Sequence, residues 1–458
     1  VFDLREAIGW LSAGCLYGDG GTRVGGVSTD TRSIEAGDLF VALRGERFDA
    51  HDFLAQAQAS GAAAVVFERW VPGIRVPAIR VADSRRALGE LARGWRSRFE
   101  LPLVTIAGAN GKTTVKEMVS AILAEQFGEA RRLATRGNLN NDVGVPLTLL
   151  RLRDEHRAAV VEIGTNHVGE IAWLASVARP TVALVTNAQR EHQEFLQGVE
   201  GSARENGASI SALGEQGVAV FPGDDSQAPV WRELAGARRC VEFGLDAGPG
   251  ARYPVRAAPD SRPGGFSLEV AGERVEVRLG IDGAHNVRNA LAAAACGHAL
   301  GIGAATIAAG LARFRPAMGR LARLRSASGA ALIDDSYNAN PDSVRAAIDA
   351  LAACEGRGVL VLGDMGEVGD EGPQYHREVG TYARERGLAH LLALGEASRD
   401  SVAAFGAGGE HFDAIEPLIE RARTLCEPGV TVLVKGSRFM RMERAVAALA
   451  GAPAREHH

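Results

Sequence analysis

The sequence predicts an α/β protein of three consecutive units, and three observations carry that reading. Short apolar runs alternate with helical stretches along most of the 458 residues, the pattern of parallel strands joined by helical crossovers. One such run, Leu103 to Ala107, breaks into Gly108-Ala109-Asn110-Gly111-Lys112-Thr113-Thr114, followed by a helical pattern through Val115, Met118, Ile122 and Leu123. That is strand, phosphate loop, helix. The alternation restarts after Pro102 and again after Arg315-Pro316, and this length suits about three domains.

The first unit covers residues 1–100. Strands are expected at Asp38–Leu43, Ala62–Phe67 and Ile79–Val81, with helices at His51–Ser60 and Ser84–Arg98. The second unit, 101–313, carries the phosphate loop. Its strands Leu103–Ala107, Ala158–Ile163 and Val182–Thr186 alternate with helices, so their sheet is mostly parallel. Phe266–Val270 and Arg274–Leu279 flank Ala271-Gly272-Glu273 and read as a hairpin, an antiparallel addition. A helix from Asn286 to Leu300 follows. The third unit, 314–458, repeats the α/β logic: strands at Ala331–Ile333, Val359–Leu362, Leu391–Leu394 and Val430–Val434, helices at Asp342–Ala352, Gln374–Glu385 and Met440–Leu449.

Composition narrows the function. Hydrophobic residues at 46% can fill several cores, and a net charge of −5 gives no sign of a nucleic-acid binder. Five cysteines stand without a C-x-x-C pair, as buried thiols of a reducing compartment do. Asp3, Arg5 and Glu6 interrupt the start too early for a secretory leader. No uncharged apolar stretch reaches the ~18 residues of a membrane span. The expectation is a cytoplasmic protein.

The phosphate loop sets the chemistry. Its glycines let backbone N–H groups close around a polyphosphate, Lys112 adds a mobile charge, and a threonine hydroxyl can ligate Mg²⁺. Glu162 ends a buried strand of the same sheet, where ligands gather, and suits Mg²⁺, which takes one or two carboxylates beside phosphate. His192 follows the next strand at the same edge and could serve a second metal. The amide-rich run Thr135-Arg136-Gly137-Asn138-Leu139-Asn140-Asn141 reads by composition as a polar loop. Asn286 and Asn289 share one helix face, with helix capping the expected work of Asn286. Asp334-Asp335-Ser336-Tyr337-Asn338-Ala339-Asn340 joins a strand to a helix, and so much polarity on one loop favours a ligand site. Val434-Lys435-Gly436-Ser437-Arg438 is a basic turn that fits an anion or plain solvent equally.

Together these segments resemble the Mur ligase family over nearly the whole chain. Ser28-Thr29-Asp30-Thr31-Arg32, the stretch Phe40 to Gly45 with Asp49, His51 and Phe53, the shortened loop Gly108 to Thr114, Gly137-Asn138, Asn141 to Thr148, Glu162 to His167, Gly169-Glu170-Ile171, Asp334 to Pro341 and Gly363 to Glu367 carry the likeness. The resemblance implies a small α/β domain for a nucleotide sugar, a central ATP-binding domain and a C-terminal Rossmann-like domain. It implies an ATP- and Mg²⁺-dependent ligase joining D-alanyl-D-alanine to a UDP-N-acetylmuramoyl-tripeptide, acting as a monomer in peptidoglycan precursor synthesis. In that frame Gly108, Asn110, Gly111, Lys112, Thr113, Thr114, Asn289 and Asp335 would bind ATP, with Asp334 an alternative to Asp335. Thr113, Glu162 and His192 would hold metal, and Arg320 would reach the phosphates. Ser28, Thr29 and Arg32 would approach the uridine diphosphate. Asn138, Asn141, Asn338 and Asn340 would contact substrate.

One departure stands out. Where many members carry a lysine that is carbamylated, this chain has Asn206, beside Glu205. An amide cannot carry a carbamate, so Asn206 or Glu205 is expected to fill that place directly. Hinges are expected near Pro102 and Arg315-Pro316. The readings left beside this one are a related ligase with another amine acceptor, and a nucleotide-binding switch without turnover.

Overall fold

Strands sort into sheets in chain order because each unit closes its own set of short crossovers. The computed structural model describes residues 1–45, 48–191, 193–196, 198–245, 253–259 and 265–450. Among these, the first unit builds a five-stranded sheet in the spatial order Cys15–Tyr17, Ala78–Arg80, Ala64–Phe67, Leu39–Val41, Val27–Ser28. Only the Cys15–Tyr17 edge runs antiparallel.

The central sheet has nine described strands. From Arg132–Ala134 at one edge it runs through Ala158–Glu162, Leu103–Ala107, Val182–Val185, Val218–Pro222 and Arg239–Gly244 to Val255–Pro259, all parallel. The hairpin Gly265–Val270 and Glu273–Arg278 completes it antiparallel. Its two turn residues, Ala271 and Gly272, both take positive φ (51° and 91°), which matches the twist of a two-residue hairpin turn. Leu103–Ala107 sits where the winding reverses: the next two strands in the chain join on one side and Val182–Val185 on the other. A parallel sheet opens its ligand crevice at such a point, outside the strands' carboxyl ends.

The third unit is a six-stranded sheet in the order Ala322–Arg325, Ala331–Asp335, Val430–Lys435, Arg357–Gly363, His390–Leu394, Gly409–Phe412, antiparallel only at its first edge.

The joins differ in kind. Helix Ser84–Arg96 buries Leu88, Leu91 and Trp95 in a core shared with Leu103, Val145, Leu149, Val161 and Leu174 of the central unit. Trp95 Nε1 donates to Leu152 O, and the buried Arg96 guanidinium donates to the carbonyls of Ala178 and Leu101. A hinge at Pro102 would tear that shared core, so the expected flexing there is not built in. Between the central and third units polar pairs join Asn110 and Arg190 to Asn340 and Asp342, and among the described core residues only Phe314 crosses the boundary, so these units can part at lower cost in buried apolar area. No helix among the described residues is long and apolar enough to cross a membrane.

Candidate active site

A cleft of about 1330 Å³ opens at the carboxyl ends of the central strands and is walled by residues of all three units. Its floor is the phosphate loop. Gly108 and Gly111 have φ of +129° and +82°, and a Cβ at either would meet Thr186 Oγ1 at 2.1 Å or Asn289 Oδ1 at 2.4 Å. Glycine is therefore required twice over, by backbone angle and by space. Helix Lys112–Phe127 starts directly after Gly111, so its unpaired N–H groups and positive dipole end face the cleft. Asn187 steadies the loop from the neighbouring strand end, accepting from Asn110 N at 3.0 Å and donating to Asn110 O at 3.0 Å.

Glu162 lies at the strand end expected for it and is 1% exposed. Thr113 Oγ1 donates to both its oxygens (3.1 and 2.9 Å), and Asn140 Nδ2 donates to Oε1 at 2.8 Å. These described side-chain partners are neutral, and a buried carboxylate is costly without a counter-charge. Hydroxyl and carboxylate oxygens side by side are hard donors that suit Mg²⁺. Among the described residues no three His, Cys, Asp or Glu cluster as a metal cage. Thr113 and Glu162 would hold Mg²⁺. His192 lies outside the described residues.

Lys112 folds back over the loop. Its ammonium donates to Gly108 O, to Ala109 O at 3.1 Å and to Glu191 Oε2 at 3.4 Å. Thr114 and Asn289 line the same cleft, and Asn289 Nδ2 donates to Asn286 Oδ1 at 3.1 Å. Asn286 is not the helix cap expected of it. Gly283 takes that position, and Asn286 Nδ2 reaches back to Asp282 O. His285 faces the cleft too, and burial pushes its pKa below the ordinary histidine range, opposed by the nearby Asp335 charge.

The third unit supplies the opposite wall. The two aspartates differ in placement: Asp334 is buried and accepts from Gly319 N and Ser336 N. Asp335 faces the cleft and pairs with Lys435 Nζ at 2.6 Å. Lys435 also donates to Asn338 O at 2.9 Å, so the basic turn serves the Asp334–Asn340 loop. The Arg320 guanidinium lies over the Tyr337 ring at 4.2 Å, at the cleft wall. Asn338 lines the cleft. So does Asn340, which caps helix Pro341–Ala352 and exchanges amide hydrogen bonds with Asn110.

The remaining expectations spread out. Asn141 borders the cleft, with its Oδ1 capping Gly144 N at 2.9 Å. Asn138 is exposed and outside the cleft lining, and Asn140 is the amide that meets Glu162. Ser28, Thr29 and Arg32 cluster at the end of Val27–Ser28, away from that lining, with Arg32 paired to Asp30 at 2.6 Å. Glu205 does not enter the cleft: its carboxylate accepts from Gly169 N and Ile171 N, both at 2.8 Å. Asn187, Arg190 and Glu191 went unmarked in the sequence; the density of polar residues after a buried strand was the available signal.

A phosphate loop at a switch point, an acid and hydroxyl ready for a cation, and three units around one cleft define an ATP-dependent ligase. Three family models match: "Mur ligase family, catalytic domain" over residues 23–96, "Mur ligase middle domain" over 106–297 and "Mur ligase, glutamate ligase domain" over 319–438. The chain belongs to the Mur ligase family. It is 43% identical over 425 residues to UDP-N-acetylmuramoyl-tripeptide–D-alanyl-D-alanine ligase of Escherichia coli (strain K12), covering 92% of this chain and 93% of that one. The crystal structure of MurF from Acinetobacter baumannii superimposes with a TM-score of 0.91 at 36% identity, over 98% and 99% of the two chains. MurF of Thermotoga maritima, solved in complex with ADP, gives 0.81 at 25% identity, over 94% and 97%.

Proposed function

We propose that this ligase joins D-alanyl-D-alanine to a UDP-N-acetylmuramoyl-tripeptide with cleavage of ATP, as a monomer in the cytoplasm. The observation that carries the reading is the three-walled cleft over Lys112 and the Thr113–Glu162 pair. Residues 1–100 would hold the UDP-sugar through Ser28, Thr29 and Arg32. Residues 101–313 would hold ATP, and 314–458 the dipeptide, with Asn338 and Asn340 nearest to it.

In this reading the tripeptide's terminal carboxylate attacks the γ-phosphorus of ATP and ADP leaves. Lys112 and Arg320 stabilise the charge on the transferring phosphoryl oxygens. Mg²⁺ at Thr113 and Glu162 supplies charge neutralisation on the phosphates when bound. The amine of D-alanyl-D-alanine attacks the acyl phosphate, and the tetrahedral intermediate collapses to amide and phosphate. An acyl phosphate hydrolyses readily, so water must be kept out, which the third unit does by closing on the central one. The test is phosphate release from ATP. Release that requires both the UDP-tripeptide and the dipeptide, with a new amide by mass, is expected. ATP binding without such release would redirect the search to other amine acceptors.

A further inference from the structure

Glu191 is a buried acid that the reaction above does not use. It sits beside the phosphate loop, 5% exposed, and lines the cleft. Its Oε1 accepts from Asn206 Nδ2 at 2.8 Å and from Ser202 Oγ at 3.1 Å. Its Oε2 accepts from Lys112 Nζ at 3.4 Å. Asn206 is itself bound at both ends of its amide. Its Oδ1 accepts from Gly108 N at 2.7 Å, and its Nδ2 also meets Ser202 O at 2.9 Å. These partners fix the amide's orientation, because a backbone N–H only donates and a carboxylate only accepts. One side chain of helix Val199–Ser211 thus reads the first glycine of the loop and the acid that touches the loop's lysine.

We propose that Glu191, held by Asn206 and Ser202, is a positioning residue that docks the Lys112 ammonium over the loop and hands it to the incoming polyphosphate. The inference rests on the ATP reading of this cleft. An ammonium has three donors, and here three acceptors take them: Gly108 O, Ala109 O and Glu191. The long lysine side chain is therefore ordered before ATP arrives, and ordering done in advance adds nothing to the barrier of the reaction step. The carboxylate is also a like charge beside the triphosphate. It weakens the docked state of Lys112 as the phosphates enter, so the ammonium changes partner rather than staying with the acid. Asn206 keeps the hand-over in register, since the backbone it grips and the acid it orients belong to the same exchange.

Glu191→Gln tests this directly. Glutamine keeps the size and can still accept from Asn206 and Ser202, but the charge is gone. Binding of ADP and of a non-hydrolysable ATP analogue would be measured by calorimetry without Mg²⁺, alongside kcat and the KM for ATP. The expected result is a split: nucleotide binding tightens threefold or more, while kcat falls tenfold or more. A residue that merely braces the fold would move neither number, and that outcome overturns the proposal. Looser nucleotide binding together with a raised Mg²⁺ requirement also overturns it, because the acid would then be a cation ligand. Asn206→Asp sets two acids against each other and should weaken binding at least fivefold. The double variant Asn206→Asp, Glu191→Gln should bind nucleotide within about twofold of Glu191→Gln alone, since the glutamine amide introduced by the second change can donate to the aspartate introduced by the first. A double variant at least fivefold weaker than Glu191→Gln alone, the full cost of Asn206→Asp, would count against the coupling. Wild-type protein that binds no nucleotide would sink the ATP reading itself, a failure distinct from any of these.

Discussion

Arg190 closes on Asp342 with both its backbone and its side chain. The backbone N–H lies 2.9 Å from Oδ2, and Nη2 lies 2.5 Å from Oδ1. One residue follows a central strand and the other opens helix Pro341–Ala352 of the third unit. The same guanidinium reaches Glu378 Oε2 at 2.7 Å and lies over the Tyr375 ring. Both carboxylates are mostly shielded from solvent, so this grip is worth more than a surface pair.

Arg190→Ala is therefore expected to loosen the third unit without unfolding any unit. Nucleotide binding should stay within about threefold, while kcat/KM for the dipeptide falls roughly tenfold or more, about 1.4 kcal/mol. Faster proteolysis between residues 313 and 319 would report the same opening. An unchanged kcat/KM would show that the grip has no part in assembling the cleft.

Lys112→Ala should cost several orders of magnitude in turnover and leave the thermal unfolding midpoint nearly unchanged. Lys112→Arg should do little better. Only three of the chain's 51 basic residues are lysines, Lys112, Lys116 and Lys435, so lysine at this position is not a matter of general composition. The three acceptors round its nitrogen suit a compact ammonium, not a planar fork. Near-normal turnover in the arginine variant would contradict that reading.

The sequence was most legible where local rules and chemistry coincide. A buried strand ending in glycine, lysine and threonine admits few structures, and the loop, its helix and Glu162 lie where the pattern put them. The hairpin at Ala271-Gly272 was legible for the same reason, because its turn needs two positive φ angles. Strands such as Arg239–Gly244 were not, since they are partly exposed and carry polar residues. Asn206 and Glu205 show the limit of counting along a helix. They are neighbours in the chain, yet one turns to the phosphate loop and the other to helix Glu170–Ala178. Which of Asn138, Asn140 and Asn141 meets Glu162 depends on the path of an irregular loop, and no periodicity encodes it.

Helix Val199–Ser211 contains no lysine, so no carbamate can form along it. Added bicarbonate should leave wild-type turnover unchanged within error from pH 7 to 9. Strong stimulation, reversed by degassing, would mean that another amine is being carbamylated.

Gly111→Ala should abolish turnover while keeping the fold. Its φ of +82° is unfavourable for alanine, and the new methyl would meet Asn289 Oδ1 at 2.4 Å. The second variant, Asn289→Ala, removes that obstacle. Combined with Gly111→Ala it should recover part of the lost nucleotide affinity but not all, because the backbone angle remains wrong and the ATP contact expected of Asn289 is gone. Full recovery would assign the whole defect to crowding.

Asp49 is a carboxyl of the first unit whose ionised form is favoured by the fold. Burial raises its pKa, but hydrogen bonds from the His51 backbone and ring and from Arg69 outweigh that and hold it at about 2. A carboxyl depressed in the folded state stabilises the protein above its unfolded pKa, near 3.8, and that contribution is lost as the pH falls toward 2. Asp49→Asn should therefore lower the urea midpoint at pH 7, and the gap from wild type should hold down to about pH 4. Below that the wild-type acid takes up its proton and the two curves should converge. A gap that persists unchanged at pH 2.5 would mean that the amide disturbs the His51 packing, and that the charge was not what stabilised the native protein.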